Sequence, residues 1–237
     1  MSDPCVICGC KESPFGSGDG EYTRCVHCGV LRTRYSYNAE MYGEAYAKNY
    51  LLYAESTTNT PLQLFRVGLV SRWLHRGDKI LDVGCCVGEF LGFAEKYYSC
   101  VGFEPNKKAI AKRRCKAKIH STMNGMILPS KCITMFDVLE HIEKPREFLK
   151  LLFTYLSPGG IFVITTPDVQ AVGDKGLKTW KHYKPKEHLF LYSELSLETL
   201  VQSVGLQILH WGREESDIRP DNPNGDIMTC VARRPSL

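Results

Sequence analysis

The sequence has no apolar run approaching the ~18 residues that a membrane-crossing helix needs. Nor does Met1-Ser2-Asp3-Pro4 open a basic-then-apolar leader, so no membrane association and a cytoplasmic location are expected. It also lacks charge of one sign. Thirty Lys and Arg stand against 26 Asp and Glu, for a net charge of +4. The densest basic cluster, Lys107, Lys108, Lys112, Arg113 and Arg114, is spaced like the solvated face of a helix. A nucleic-acid partner usually calls for a concentrated basic stripe, and the mild net charge does not argue for one. What the chain does have is cysteine. Eleven of them, without a leader, point to a reducing compartment and to metal binding or free thiols rather than disulfides.

With 237 residues the chain can bury one substantial core and carry a small accessory module. Residues 1–35 read as that module. Cys5-Val6-Ile7-Cys8-Gly9 and Cys25-Val26-His27-Cys28-Gly29 are two CxxC-Gly hooks with 16 residues between them. Each hook aims two sulfurs at one point, and two hooks make a closed, tetrahedral site for structural Zn2+ through Cys5, Cys8, Cys25 and Cys28. Cys10 and His27 are bystanders to a filled shell. The segment between the hooks is too small to fold without the metal.

The chain is organised around residues 79–105. An apolar strand, Ile80–Val83, breaks into Gly84-Cys85-Cys86-Val87-Gly88, resumes as a helix to Tyr98, and is followed by a second strand ending on Glu104. Glycines let a turn approach a ligand closely, and a helix start offers N–H groups to an anion. Glu104 lies 20 residues after Gly84, where a carboxylate can accept both hydroxyls of a ribose. The dinucleotide fingerprint G-x-G-x-x-G is absent, because its middle glycine is missing and Gly88 comes one residue late. Asp82, Gly84 and Gly88 instead match apolar-apolar-Asp-x-Gly-x-Gly-x-Gly, with Cys86 at the middle glycine. On these residues the stretch resembles the S-adenosylmethionine site of class I methyltransferases.

That resemblance implies an α/β fold: a Rossmann-like, seven-stranded methyltransferase sheet with helices on both faces, plus the small N-terminal zinc ribbon. It implies that Asp82, Gly84, Cys85, Cys86, Gly88, Glu104 and Pro105 bind S-adenosylmethionine. Asn124, in the loop 121–129, would meet the adenine. Phe136 and Asp137 would face the cleft from the end of the fourth strand, because open α/β sheets bind ligands at the carboxyl ends of their strands. The expected division is 1–35 zinc ribbon, 36–76 helical lid or linker, and 77–237 methyltransferase domain. Tyr42, Tyr46 and Tyr50 share a helix face. They either pack on the main domain or close over the cofactor, where Tyr46 would meet the sulfonium. A helix from Thr60 to about His75 should turn Leu64, Val67, Val70, Ser71 and Leu74 inward.

Further along, Asp137-Val138-Leu139-Glu140-His141 is similar to the V-L-E-H segment of small-molecule methyltransferases, including ubiquinone-pathway O-methyltransferases. There, acids and the histidine can hold a divalent cation. The alternative is a hydrogen-bond network at a helix entry. Leu156-Ser157-Pro158-Gly159-Gly160 is a family-like turn into strand five, and a final hairpin separates methyltransferase sheets from dinucleotide folds. Residues 167–192 show little apolar periodicity and carry His182, Glu187 and His188 where class I enzymes build the acceptor site. The Glu187-His188 pair resembles the E-H of sugar C-methyltransferases acting on nucleotide-linked sugars, with Pro185 where their tyrosine belongs. The expected activity is methylation of a small molecule, a sugar or nucleotide-linked sugar, at oxygen or carbon. His188 would be general base, Glu187 would orient it or bind acceptor hydroxyls, and His182 and His141 are reserves. An RNA base methyltransferase and a non-enzymatic binding module are the alternatives.

Overall fold

The computed structural model describes residues 4–10, 12–14, 20–38, 60–124, 129–219 and 225–236. Two sheets organise it. The larger has seven strands: β4 (Lys79–Val83), β5 (Ser99–Phe103), β6 (Lys118–His120), β7 (Ser130–Phe136), β8 (Leu156–Pro167), β10 (Gln207–Gly212) and β11 (Ile227–Arg233). Their spatial order is β10-β11-β8-β7-β4-β5-β6. β4 pairs in parallel with both β5 and β7, while β11 runs antiparallel beside β8. This is the seven-stranded Rossmann-like methyltransferase sheet, with the reversed last strand that the final hairpin led us to expect.

The central strands are near-continuous apolar runs because helices cover both of their faces. Ile80, Leu81 and Val83 of β4, Ile133 and Met135 of β7, and Phe162, Val163 and Ile164 of β8 are all buried. The order of the strands reverses direction between β4 and β7, which opens a crevice beyond their carboxyl ends.

The helices are α1 (Thr60–Ser71), α2 (Glu89–Ala94), α3 (Lys107–Ala111), α4 (Pro145–Tyr155), α5 (Gly173–Gly176), α6 (Glu194–Gln202) and α7 (Glu214–Ile218). α6 opens on a reciprocal capping box formed by Ser193 and Ser196. Other boundaries differ from the sequence reading. α2 stops at Ala94, well short of Tyr98. α7 lies between β10 and β11. α1 is rotated relative to expectation. Leu64 and Ser71 face solvent, while Gln63 and Arg66 are buried beside Val67 and Val70. The rotation follows from a charge partner for Arg66, described below.

The smaller sheet is β1 (Glu12–Pro14), β2 (Tyr22–Cys25), β3 (Leu31–Thr33) and β9 (Phe190–Leu191), antiparallel throughout. Its fourth strand comes from the irregular segment 167–192, so the N-terminal residues are paired directly to the main domain. No helix among the described residues is long and apolar enough to cross a membrane.

Candidate active site

The glycine turn lies at the carboxyl end of β4. Gly84 (φ 71°), Cys86 (φ 47°) and Gly88 (φ 77°) all adopt left-handed backbone. At Gly84 a Cβ would stand 2.5 Å from Val138 Cγ2, and at Gly88 it would stand 2.5 Å from Cys115 Sγ. Both positions therefore need glycine on two grounds, conformation and space. Cys86 keeps the same hand of backbone despite its side chain, which accounts for glycine being the usual residue there; such a conformation costs an ordinary residue roughly 1–2 kcal/mol. The neighbouring Cys85 thiol is buried, and burial pushes its pKa well up.

Glu104 closes the turn. Its Oε2 accepts the Cys86 N–H at 2.9 Å and its Oε1 accepts the Asn106 N–H at 2.8 Å. Each carboxylate oxygen retains a second lone pair for a ligand hydroxyl. Burial raises the Glu104 pKa against these two N–H bonds. Pro105 follows in an exposed turn and Asn106 caps α3. Asp82 lies beneath the turn, buried, with Thr134 Oγ1 donating to its Oδ1 at 2.6 Å. Burial pushes its pKa up to about 7, opposed by the Thr134 bond and by Arg66 and aided by Glu104.

Gly84, Cys86, Asp82, Arg66 and Phe136 line a common cleft. The Arg66 guanidinium lies 4.0 Å above the Phe136 ring, and Phe90 meets the same ring edge-on at 5.1 Å. Arg66 is fixed by Glu215 of α7 through two bonds, Nη2–Oε1 at 2.6 Å and Nε–Oε2 at 3.2 Å. Arg219, one helical turn on, also bonds Glu215, and reaches Asp137 Oδ2 at 2.7 Å. Asp137 is itself left-handed (φ 56°) at the end of β7. Burial pushes the Asp137 and Glu215 carboxyls up, but the two arginines outweigh it and hold both below their ordinary values. This four-charge knot was not anticipated. The only local trace of it is the Glu215–Arg219 spacing of four.

Between the end of β7 and the segment 167–192 three histidines gather. His141 and His188 meet edge to face at 4.9 Å, and His182 stacks on His188 at 5.8 Å. His141 Nδ1 is 3.0 Å from the Glu187 carbonyl, and His188 Nδ1 is 2.8 Å from the His182 carbonyl. A carbonyl only accepts, so each Nδ1 carries the proton. Burial lowers all three histidine pKa values, His182 to about 4 and His188 well below its ordinary value. The Glu187 carboxylate lies 3.4 Å from Lys184 Nζ, so the group that orients the His188 ring is the His182 carbonyl. Glu140 is buried, accepts from Thr166 Oγ1 at 3.0 Å, and has its pKa pushed to about 8 by burial and by Asp137. Ligand atoms of Glu140, His141 and His188 lie within 4.8 Å of one another, near enough to share a metal ion. Asp137 faces arginines.

A methyltransferase-domain family model matches residues 59–211. The chain belongs to that family. Among curated proteins, the mitochondrial ubiquinone biosynthesis O-methyltransferase of Schizosaccharomyces pombe is 32% identical over 104 residues, 38% of this chain. The match spans 38% of that relative's length. Among solved structures, the plantazolicin methyltransferase BpumL, in complex with a triazolic desmethylPZN analog and SAH, superposes with a TM-score of 0.64. It is 15% identical, covering 83% of this chain and 93% of that one. The N-methyltransferase NodS from Bradyrhizobium japonicum superposes at 0.54, with 16% identity over 76% of this chain and 100% of its own. The [4+2]-cyclase SpnF superposes at 0.55, with 17% identity over 72% and 80%. At these identities the superpositions establish the fold.

The family model starts at residue 59, and this methyltransferase chain carries its cysteine cluster ahead of it. Cys5, Cys8, Cys25 and Cys28 place all four sulfurs within 4.8 Å of one another. Cys5 and Cys28 Sγ are 3.8 Å apart, and Cys8 and Cys25 Sγ are 3.3 Å apart. The Ile7 and Cys28 N–H groups point to the Cys5 and Cys25 sulfurs, both at 3.4 Å. The Cys28 thiol holds the Cys5 pKa down at about 5 and is itself pushed up. A second group shares Cys8 with Cys10 and the exposed His27. Asn124 is exposed at the edge of the described residues. Tyr42, Tyr46 and Tyr50 lie outside them.

Proposed function

We propose that the protein transfers a methyl group from S-adenosylmethionine to a small-molecule acceptor, a sugar or nucleotide-linked sugar, at oxygen or carbon. Membership of the methyltransferase family supports the donor half. The observation that carries it is the Gly84–Gly88 turn, set against Glu104 at the crevice between β4 and β7. Glu104 would hold the cofactor's ribose through its remaining lone pairs and the turn would hold its methionine end, with Phe136 lining the same cleft. When bound, the cofactor would supply an electrophilic methyl on a thioether leaving group that needs no protonation. The protein's task is then alignment, exclusion of water and removal of one proton from the acceptor.

His188 is the proposed general base. With Nδ1–H donated to a carbonyl, its Nε2 lone pair is the accepting site, and burial keeps the ring neutral. His141 is the reserve, and Glu187 holds acceptor hydroxyls. A divalent cation on Glu140, His141 and His188 would take the same Nε2 lone pair, so it is an alternative to His188 as base; Asp137 already faces two arginines and stands outside that group. At the N-terminus we propose structural Zn2+ on Cys5, Cys8, Cys25 and Cys28. Zn–S bonds of about 2.3 Å at tetrahedral angles separate the sulfurs by about 3.8 Å, and the Cys5–Cys28 spacing fits this. Such a thiolate site suits a reducing, cytoplasmic compartment.

Incubation with labelled methyl donor and extracted metabolite pools, fractionated into small molecules, RNA and protein, tests the reading. Label is expected in the small-molecule fraction. His188→Ala should lower turnover about 10²–10⁴-fold, the range of a general base, with cofactor affinity retained. Label in RNA, or a fully active His188→Ala enzyme, contradicts the acceptor class or the base respectively.

A further inference from the structure

We propose that the N-terminal cysteine sheet is a working wall of the acceptor side: Tyr22 and the β3–β9 pairing position the loop that carries His188. Filling the four-cysteine centre would therefore set the acceptor side while leaving the cofactor turn alone. This rests on the reading of 167–192 as the acceptor loop.

Three attachments make the case. First, β9 is a strand only because β3 pairs with it. Leu31 opposes Leu191, Arg32 opposes Phe190, and the Thr33 N–H donates to the Leu189 carbonyl at 2.9 Å. His188 immediately precedes this pairing. Second, Tyr22 is buried in β2, three residues before Cys25, and its hydroxyl donates to the His188 carbonyl at 3.2 Å. Its ring lies 5.4 Å from that of Tyr183, and it shares an apolar cluster with Leu177, Trp180 and Leu191, all from the loop. Third, Ser193 Oγ, the cap of α6, lies 3.4 Å from the carbonyl of Cys28 itself. The loop is thus held at 188 by Tyr22, which lies between the two cysteine hooks, at 193 by Cys28 of the second hook, and at 190–191 by Leu31 and Arg32 just after it.

The module shares an apolar core with the donor strand, since Cys5, Ile7, Cys25, Cys28 and Val30 cluster with Leu81 and Val83 of β4, but it does not line the cleft. None of the residues lining the glycine-turn cleft comes from residues 4–38. By contrast, an open groove of about 540 Å³ has Glu21 and Tyr35 on one side and Tyr183, Lys184 and Glu187 on the other. Tyr22 is accordingly a positioning residue, acting through the His188 backbone.

The test uses the full chain, zinc-loaded or stripped with a chelator under reducing conditions. It is read by hydrogen exchange and by calorimetric S-adenosylmethionine binding. Stripping should raise exchange about tenfold or more over 180–192, leave 79–105 within about twofold, and keep cofactor affinity within about threefold. Tyr22→Phe, which keeps the metal ligands, should raise exchange over 180–192 about three- to tenfold, the effect of one hydrogen bond. It should also move the His188 ring resonance, assigned by its loss in His188→Gln. Equal loosening of both regions on stripping, or a Tyr22→Phe protein with wild-type exchange and resonance, overturns the proposal. No readout requires turnover, so an active His188→Ala enzyme would refute the base assignment and leave this result standing.

Discussion

Arg66 and Glu215 meet side-on across 149 positions of sequence, guanidinium edge to carboxylate edge, with both side chains buried. The pair joins the helix before the cofactor turn to the short helix before the last strand. Glu215 also holds Arg219, so its single charge answers two guanidiniums. Removing one partner of a buried pair typically costs 3–5 kcal/mol, because the other charge is left without compensation. Glu215→Gln should lower the free energy of unfolding by about that much, seen as a lower urea midpoint at unchanged slope. Arg66→Met added to it should cost less than the sum of the two changes. Additive losses would show that the two residues do not act as a pair.

Gly84→Ala is the sharpest probe of the donor site. The new methyl would lie 2.5 Å from Val138 Cγ2 at a backbone φ of 71°. Val138 is branched and short, so it cannot swing clear without moving the end of β7, where Asp137 sits. S-adenosylmethionine affinity measured by calorimetry should fall at least about tenfold, a loss of about 1.4 kcal/mol, with the metal content unchanged. Wild-type affinity would place the cofactor away from this turn.

Much of the fold was legible because the signals are local. Apolar runs of four to seven residues, a glycine break and an acid at fixed spacing announce β4, the turn, β5 and Glu104 without any tertiary knowledge. The reversed last strand, announced by the final hairpin, was equally local. What escaped the sequence depended on distant partners. Arg66 reads as a solvent-facing residue of an amphipathic helix until Glu215 is known to be opposite. Phe190–Leu191 is too short to read as a strand and becomes one by pairing with Leu31–Arg32. The orientation of His188 by a backbone carbonyl, not by its neighbour Glu187, is likewise invisible in a list of side chains.

The proposed zinc shell makes a quantitative prediction. Cys5 and Cys28 stand at a tetrahedral edge length, whereas Cys10 and His27 reach the group only through Cys8. Purified protein should carry one zinc per chain by elemental analysis. Cys5→Ser or Cys28→Ser should abolish it, whereas Cys10→Ser and His27→Ala should leave it intact. Retention after Cys28→Ser together with loss after His27→Ala would assign the second shell instead.

The buried acid beneath the turn sets a pH dependence whose sign follows from its partners. Asp82 ionises near its ordinary value of 3.8 in the unfolded chain but near about 7 in the folded one, where burial outweighs the Thr134 bond and Arg66. Between those values the folded state holds a proton that the unfolded state has released. The contribution of Asp82 to stability is therefore greatest at or below pH 4, declines as pH rises through that window, and levels off above about 7. The buried Glu140, raised to about 8, acts in the same direction. Asp82→Asn removes the first titration and keeps the shape, so its stability should fall less steeply between pH 4 and 7. The difference in slope should approach one proton, about 1.4 kcal/mol per pH unit. Parallel curves for the two proteins in urea titrations would mean that Asp82 is already ionised in the fold, held by Arg66 more strongly than burial opposes it.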